Sequence, residues 1–332
     1  MSIYWLKHHP RLGSFLLSLA AAVLFVWWRF DTDIEQAHAR VKHGSLLIEI
    51  RCGRIEYQEA GTGVPLLAVH GSGRGFDQGM AFAAPLAKQD IRVIAMSRFG
   101  YLRTPMPAEP SAEAQTDAHV RLLDALGISR SAVMGGSAGA PSALQMAMRH
   151  PDRVSALILL VPLAYKPPSQ VNSAPPLAPW VEDMMMSVIG SDFLFWSAMH
   201  VARDQIIKVV LATPPGLLAT VSATEHARIN AMLDNILPVS GRAAGLRSDT
   251  AVGKHLAPAA LDSIRTPTLI ISARDDGYGT YASAQYTASQ IPGAKFIGFD
   301  QGGHTWVGHN DEVMAEIVQL LAPVAKAESQ AP

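Results

Sequence analysis

Three apolar runs, Pro65 to Val69, Ile91 to Met96 (broken only by Arg92) and Ser131 to Met134, recur along the chain with other structure between them. Runs of this length without polar alternation suit strands buried on both faces, as in a parallel sheet covered by helices. Between the second and third runs, AEAQTDAHVRLLDALG sets Ala114, Ala118, Leu122, Ala125 and Leu126 on one helical face, with Gly127 to end the helix. A helix from about Ala138 to His150, stopped by Pro151, leads into a strand at Ala156 to Val161. Upstream, Ser45 to Ile50 and Arg54 to Glu59 read as a hairpin broken at Cys52-Gly53, and Gly61-Thr62-Gly63 is a turn. Downstream, strands fall at Thr268 to Ser272 and Lys295 to Phe299, and a last helix covers about Asp311 to Leu321. This alternation predicts an α/β fold with a mostly parallel sheet and helices on both faces.

The alternation breaks once. From 163 to 263 no comparable strand occurs, and VEDMMMSVIG, DFLFWSAMHVARDQIIKVVLAT and ATEHARINAMLDNIL are helical in pattern. An insertion of about 100 residues is too long for an ordinary loop and reads as a helical cap. Met184, Met185, Met186, Phe193, Phe195, Trp196 and Met199 give it an apolar cluster for packing on the main body, or for walling an apolar substrate. Arg203 and Lys208 could meet a substrate carboxylate, but solvated surface is the preferred reading of both.

The first 29 residues are a separate unit. Leu12 to Trp28, LGSFLLSLAAAVLFVWW, carries no charge and is near the short limit for a bilayer-spanning helix. Tyr4 and Trp5 on one side and Trp27 and Trp28 on the other suit the two membrane interfaces. The alternative is a signal peptide cut after the small residues Ala20 and Ala22, giving a secreted protein; that cut would leave VLFVWW as an exposed N-terminus, which favours an uncleaved anchor. Lys7 and Arg11 before the span and Arg29 after it weight the main body toward the non-cytoplasmic, periplasmic side. Residues 30–44 read as a polar tether, helical in part, 45–162 with 264–323 as the main body, 163–263 as the cap and 324–332 as a flexible tail.

Composition removes other classes of function. A formal net charge of -1 with no basic stripe argues against a nucleic-acid partner. The single cysteine, Cys52, cannot form an internal disulfide or a cysteine-based metal site, and its strand-like setting reads as packing. No metal or organic cofactor is called for.

The chemistry centres on MGGSAGA, residues 134–140, where Gly135-Gly136-Ser137-Ala138-Gly139 fits G-x-S-x-G between a predicted strand and a predicted helix. A serine on so sharp a turn leaves no room two residues before or after it, so Gly135 and Gly139 supply space, while Gly136 is less constrained. A serine hydroxyl needs a base, and a histidine base needs a carboxylate to orient it. Of twelve histidines, His304 in DQGGHTWVG stands directly after the last predicted strand; His309 is the alternative. TLIISARDD ends the preceding strand on two aspartates, of which Asp276 is the chosen carboxylate; Asp275 is the alternative, read otherwise as a solvated partner of Arg274. Donors for a developing oxyanion would be the backbone N–H groups of Ala138 and of Ser72 in HGSGRG. The glycines of HGSGRG lack the Lys-Ser/Thr of a phosphate loop and the full dinucleotide-binding spacing.

Together, VHGSGRGFDQG, SRFGYLRTP, GGSAGAPSALQMAMRHPDRVSALILL, SARDDGYGT and GGHTWVGH resemble the α/β-hydrolase superfamily over about residues 45–323. The resemblance implies an eight-stranded sheet, a lid between strands six and seven, and a Ser-Asp-His triad at Ser137, Asp276 and His304. A serine nucleophile sets the chain apart from relatives that use aspartate, the epoxide hydrolases and haloalkane dehalogenases. The segment Ala273-Arg274 departs from the family, where many members have a glycine.

Three functions follow as expectations. The first is hydrolysis of a moderately hydrophobic carboxylic ester through an acyl-enzyme. The second is carbon-carbon bond hydrolysis, since HGSGRG is similar to the HGSGPG-type loop of ring-cleavage-product hydrolases. The third is a non-catalytic ligand receptor on the same fold.

Overall fold

The computed structural model describes residues 10–51, 53–167 and 178–329. Cys52, the interfacial residues expected at Tyr4 and Trp5, Lys7, and the last three residues lie outside that set. Eight strands form one sheet: β1 (Leu46–Ile50), β2 (Gly53–Ala60), β3 (Val64–Val69), β4 (Ile91–Met96), β5 (Ser131–Gly136), β6 (Val154–Leu160), β7 (Thr268–Ala273) and β8 (Lys295–Phe299). Their order is β1-β2-β4-β3-β5-β6-β7-β8. The β1–β2 and β2–β4 pairs are antiparallel and the rest parallel. Every residue of β5, β6 and β7 is buried, as continuous apolar runs in a doubly covered sheet require. Each fully buried aliphatic side chain there contributes about 1.5–3 kcal/mol.

Helices cover both faces. α1 is Pro10–His43, α2 Phe76–Ala83, α3 Ala112–Ala125 and α4 Ala140–Arg149. Five more helices lie between β6 and β7: α5 (Pro179–Ile189), α6 (Asp192–Val201), α7 (Arg203–Val210), α8 (Ala223–Asp234) and α9 (Ala243–Lys254). α10 (Thr280–Gln290) joins β7 to β8, and α11 (Asn310–Ser329) closes the chain. The single helical pattern read at Asp192 to Thr213 is broken at Ala202, where φ is -139° and ψ 44°, into α6 and α7. α9 has no counterpart in the sequence reading.

The stretch expected as a tether, helical in part, is helical as far as His43 and forms the second half of α1, packed on the body rather than free of it. Its Ile34, Ala37 and Val41 are buried in the core. The first half is different: from Phe15 to Trp28 its large apolar side chains are exposed. A window within Gly13–His43 is long and apolar enough to cross a membrane, with mean hydropathy 1.6. Phe30 meets the rings of Phe193 and Trp196 on α6 at 5.2 and 5.7 Å, and Trp196 Nε1 donates to Asp33 at 2.9 Å. Arg40 donates to Asp77 on α2 (3.1 Å) and to the carbonyl of Leu237 (2.5 Å). Polar in composition, residues 30–43 are helical because one face finds a partner in the body and the insertion. α11 also continues past its expected end, through Pro323 to Ser329.

His119 on α3 is wholly buried between Met96 Sδ (2.9 Å) and Ser142 Oγ (3.0 Å). Burial, with the charge of Arg98 added, holds it down to about 3, so it is neutral in the fold. The unfolded histidine takes its proton near pH 6.5. Stability contributed by the neutral ring is therefore complete above pH 6.5 and is lost as pH falls toward 3, at about 1.4 kcal/mol per pH unit. Thermal melts between pH 7.5 and 5.0 are expected to show a shallower acid decline in His119→Gln than in wild type. Equal slopes would remove His119 as a source of acid sensitivity.

Candidate active site

The parallel register brings the C-terminal ends of β3 and β5 side by side, with Val69 opposite Gly135. The chain leaves β5 through a single tight turn, Ser137–Gly139, before α4 begins. Ser137 sits at φ +48°, a left-handed conformation that costs a non-glycine residue about 1–3 kcal/mol. The neighbouring glycines make that turn possible. A Cβ on Gly139 would lie 2.5 Å from the carbonyl oxygen of Val69, and one on Gly135 would lie 2.8 Å from Ala143 Cβ. At Gly136 the nearest atom is a Phe82 ring carbon at 3.2 Å.

β7 and β8 deliver the other residues. The Asp276 side chain is fully enclosed and accepts from Tyr278 N–H (2.8 Å), from the hydroxyl of Thr280, and from His304 Nδ1 (2.8 Å). Burial pushes its carboxyl upward, but the His304 charge and these hydrogen bonds outweigh burial and leave it below the usual carboxylate range. An ionised carboxylate only accepts, so the hydrogen between the two side chains sits on His304 Nδ1. Tyr278 stands edge-on to the imidazole at 4.8 Å.

The two adjacent aspartates divide the work. Asp275 does not pair with Arg274, which bonds Asp300 instead. Its carboxylate accepts from Gly302 N–H (3.2 Å) and Gly303 N–H (2.7 Å), holding the loop that carries His304. His309 lies apart from Asp276, stacked on Phe299 at 3.8 Å and 3.5 Å from Glu312.

The loop after β3 closes the site. Gly71 approaches Ser137 so closely that a Cβ on it would lie 3.0 Å from Ser137 Cβ. Gly71 N–H donates to Gln78 Oε1 (2.8 Å) and Gly73 N–H to Tyr101 OH (3.1 Å), while among the described residues no protein acceptor takes the Ser72 N–H. Ser72 Oγ donates to Asp249 on α9 (2.9 Å), as does Tyr101 OH (2.5 Å). Arg98 grips the same carboxylate with two bonds of 2.7 and 2.6 Å, and its Nε donates to His70 O at 2.9 Å. His70 accepts from Arg98 N–H through Nε2 (2.8 Å); burial, then Arg98, holds it well below its ordinary pKa and hence neutral. Sequence reasoning passed over Asp249, Arg98 and Tyr101, and α9 carries no motif that would have singled out Asp249.

Ser72, Arg74, Phe82, Ser137, Leu211 and His304 line one cavity of about 50 Å³. Ala138 does not line it, although its backbone follows Ser137 directly. No group of His, Cys, Asp and Glu able to hold a metal ion occurs among the described residues.

Known proteins share this fold. Residues 64–207 match the family described as alpha/beta hydrolase fold. The chain is similar to the pimeloyl-[acyl-carrier protein] methyl ester esterase of Aromatoleum aromaticum, 30% identical over 77% of this chain and 97% of the relative. It is also similar to the 2-hydroxymuconate semialdehyde hydrolase of Pseudomonas sp. (strain CF600), 37% identical over 111 residues, which is 32% of this chain and 39% of that relative. An alpha/beta hydrolase fold protein from Nakamurella multipartita superposes with a TM-score of 0.63 at 26% identity, covering 83% of this chain and 98% of the other. The chain belongs to the alpha/beta hydrolase family and is an α/β-fold hydrolase.

The turn's tight contacts give a direct comparison of neighbours. Gly139→Ala is expected to destabilise by about 2 kcal/mol or more, because a backbone oxygen must move, and Gly136→Ala by less than about 1 kcal/mol, because a ring edge can give. Urea midpoints of the two variants measure it.

Proposed function

We propose that the chain is a serine hydrolase that cleaves a moderately hydrophobic carboxylic ester through an acyl-enzyme. One observation carries the reading: a serine at φ +48° on a glycine-flanked turn shares a cavity with a histidine whose far nitrogen is held by a buried carboxylate. In this reading His304 Nε2 takes the Ser137 proton as Oγ attacks the ester carbonyl. Asp276 stabilises the imidazolium that forms, and the backbone N–H groups of Ser72 and Ala138 donate to the oxyanion. His304 returns the proton to the leaving alcohol; water, activated by the same histidine, then releases the acid and restores Ser137. Residues 163–263 act as the cap over this site.

A second reading has a specific support. The 2-hydroxymuconate semialdehyde hydrolase match favours carbon-carbon bond cleavage by the same residues. Activity on a vinylogous diketone with little on simple esters would select it.

The exposed half of α1 supports a bilayer anchor at residues 12–28. The periplasmic side for the catalytic body rests on the flanking charges alone, Lys7 and Arg11 before the span and Arg29 after it. The chain is expected to stay with membranes after a carbonate wash. Release into the wash, or a mature N-terminus just after Ala22, would overturn the anchor.

With 4-nitrophenyl butyrate, Ser137→Ala is expected to lose at least about 10³-fold in kcat/KM, and a fluorophosphonate probe is expected to label wild type alone. Equal turnover by both proteins would sink the assignment.

A further inference from the structure

Arg74 is a buried charge without a counter-ion among the described residues. It follows Gly73 on the loop after β3 and lines the cavity shared by Ser137 and His304. Only 6% of the residue is exposed. Its one described side-chain hydrogen bond runs from Nη1 to the carbonyl oxygen of Met232, in the last turn of α8, at 2.5 Å. A guanidinium has five N–H donors in a planar fork, and that bond occupies one of them.

Among the described residues no carboxylate completes it. The one carboxylate among them whose field reaches Arg74 is Asp77, and Asp77 is already engaged. Arg242 holds it through two bonds of 3.1 and 2.7 Å, and Arg40 adds a third at 3.1 Å. Two guanidinium groups thus hold one carboxylate, whose field also reaches the third at Arg74. Burial, with the Arg242 charge added, brings Arg74 down to about 10, which still leaves it protonated at neutral pH. A buried charge of this kind is expensive unless something pairs with it. The rest of the cavity offers no anion: Phe82, Val161, Val210, Leu211 and Met232 are apolar, and Gln78 spends its side-chain oxygen on Gly71 N–H.

We propose that Arg74 selects the substrate: its free N–H fork binds a carboxylate on the molecule whose scissile carbonyl lies at Ser137, so the substrate class is a short ester carrying a free carboxylate. The inference rests on the serine-hydrolase reading and narrows it. The ester end meets Ser137 and His304, the apolar walls take the connecting methylene groups, and the carboxylate neutralises the excess charge around Asp77. Arg and carboxylate match as two parallel charge-assisted bonds, which a neutral chain end cannot make.

The test compares charged and neutral esters of similar length. Monomethyl glutarate against methyl pentanoate puts the carboxylate on the acyl side, and 4-acetoxybutanoate against butyl acetate puts it on the alcohol side. In wild type at least one charged member is expected to exceed its neutral counterpart about 30-fold in kcat/KM. Arg74→Gln, whose amide can still donate to Met232 O, is expected to lose that preference, the charged ester falling at least about tenfold further than its neutral counterpart. Arg74→Lys, which keeps the charge without the fork, is expected to fall between. A purely structural Arg74 would lower both members of a pair alike, and that result, or no preference in wild type, overturns the proposal.

Binding keeps the two readings apart. Glutarate is expected to bind Ser137→Ala in titration calorimetry and to lose at least about 30-fold in affinity when Arg74→Gln is added. If esters are untouched and the fluorophosphonate does not label, the serine-hydrolase reading fails, while Arg74-dependent glutarate binding still upholds the anion site. Glutarate binding that is absent, or indifferent to Arg74, removes the anion site whatever the esterase assays show.

Discussion

The buried pair between Arg98 and Asp249 is the interaction on which the site's architecture depends. Arg98 follows β4, Asp249 belongs to α9, and both side chains are 8% exposed. Through them the insertion between β6 and β7 is fixed to the sheet. The same carboxylate receives Ser72 and Tyr101, and the same guanidinium reaches His70, so the loop after β3 has its shape set by a residue nearly 180 positions later. Removing one partner of such a pair strands the other charge and typically costs about 3–5 kcal/mol. The loop is therefore positioned by the insertion as much as by its own glycines.

A second cluster repeats the arrangement one layer away. Asp77 gathers Arg40 from α1 and Arg242 from the insertion, and both arginines also bond carbonyls near the end of α8. Those carbonyls lie at the negative end of a helix dipole, which suits cations. Burial would raise the Asp77 carboxyl, yet the two guanidinium groups bring it down to about 2. The docking of the N-terminal helix and the cover over the site thus share one carboxylate. Arg74 is drawn into the same helix end, and it is the member whose charge remains uncompensated.

Much of the fold was legible because strand burial and helix amphipathicity are local patterns. All eight strands fall within a few residues of the apolar runs that announced them, and the insertion was marked by the absence of such a run. Residues 30–43 were less legible. Their charges suggested a tether, but helices are stabilised mainly by packing of one face, and the partners of Ile34, Ala37 and Val41 are distant in sequence. For the carboxylate beside His304 the sequence offered two adjacent residues, with Asp276 preferred and Asp275 the alternative. The turn after β7 then turns Asp276 toward the imidazole and Asp275 toward the amides of Gly302 and Gly303.

What the sequence determined by itself is the order of strands and helices, the glycine-relieved turn at Ser137 and the position of His304 just past the last strand. These depend on residue size, on backbone freedom and on periodicity, all of which act over a few neighbours. Tertiary structure alone decided that Asp249 grips Arg98, that Asp77 joins α1 to the insertion, and that Arg74 is left in the cavity with no carboxylate of its own. Charge pairing inside a protein is a matter of which groups share a dry space, and residues from opposite ends of the chain come to share one only once the sheet has formed.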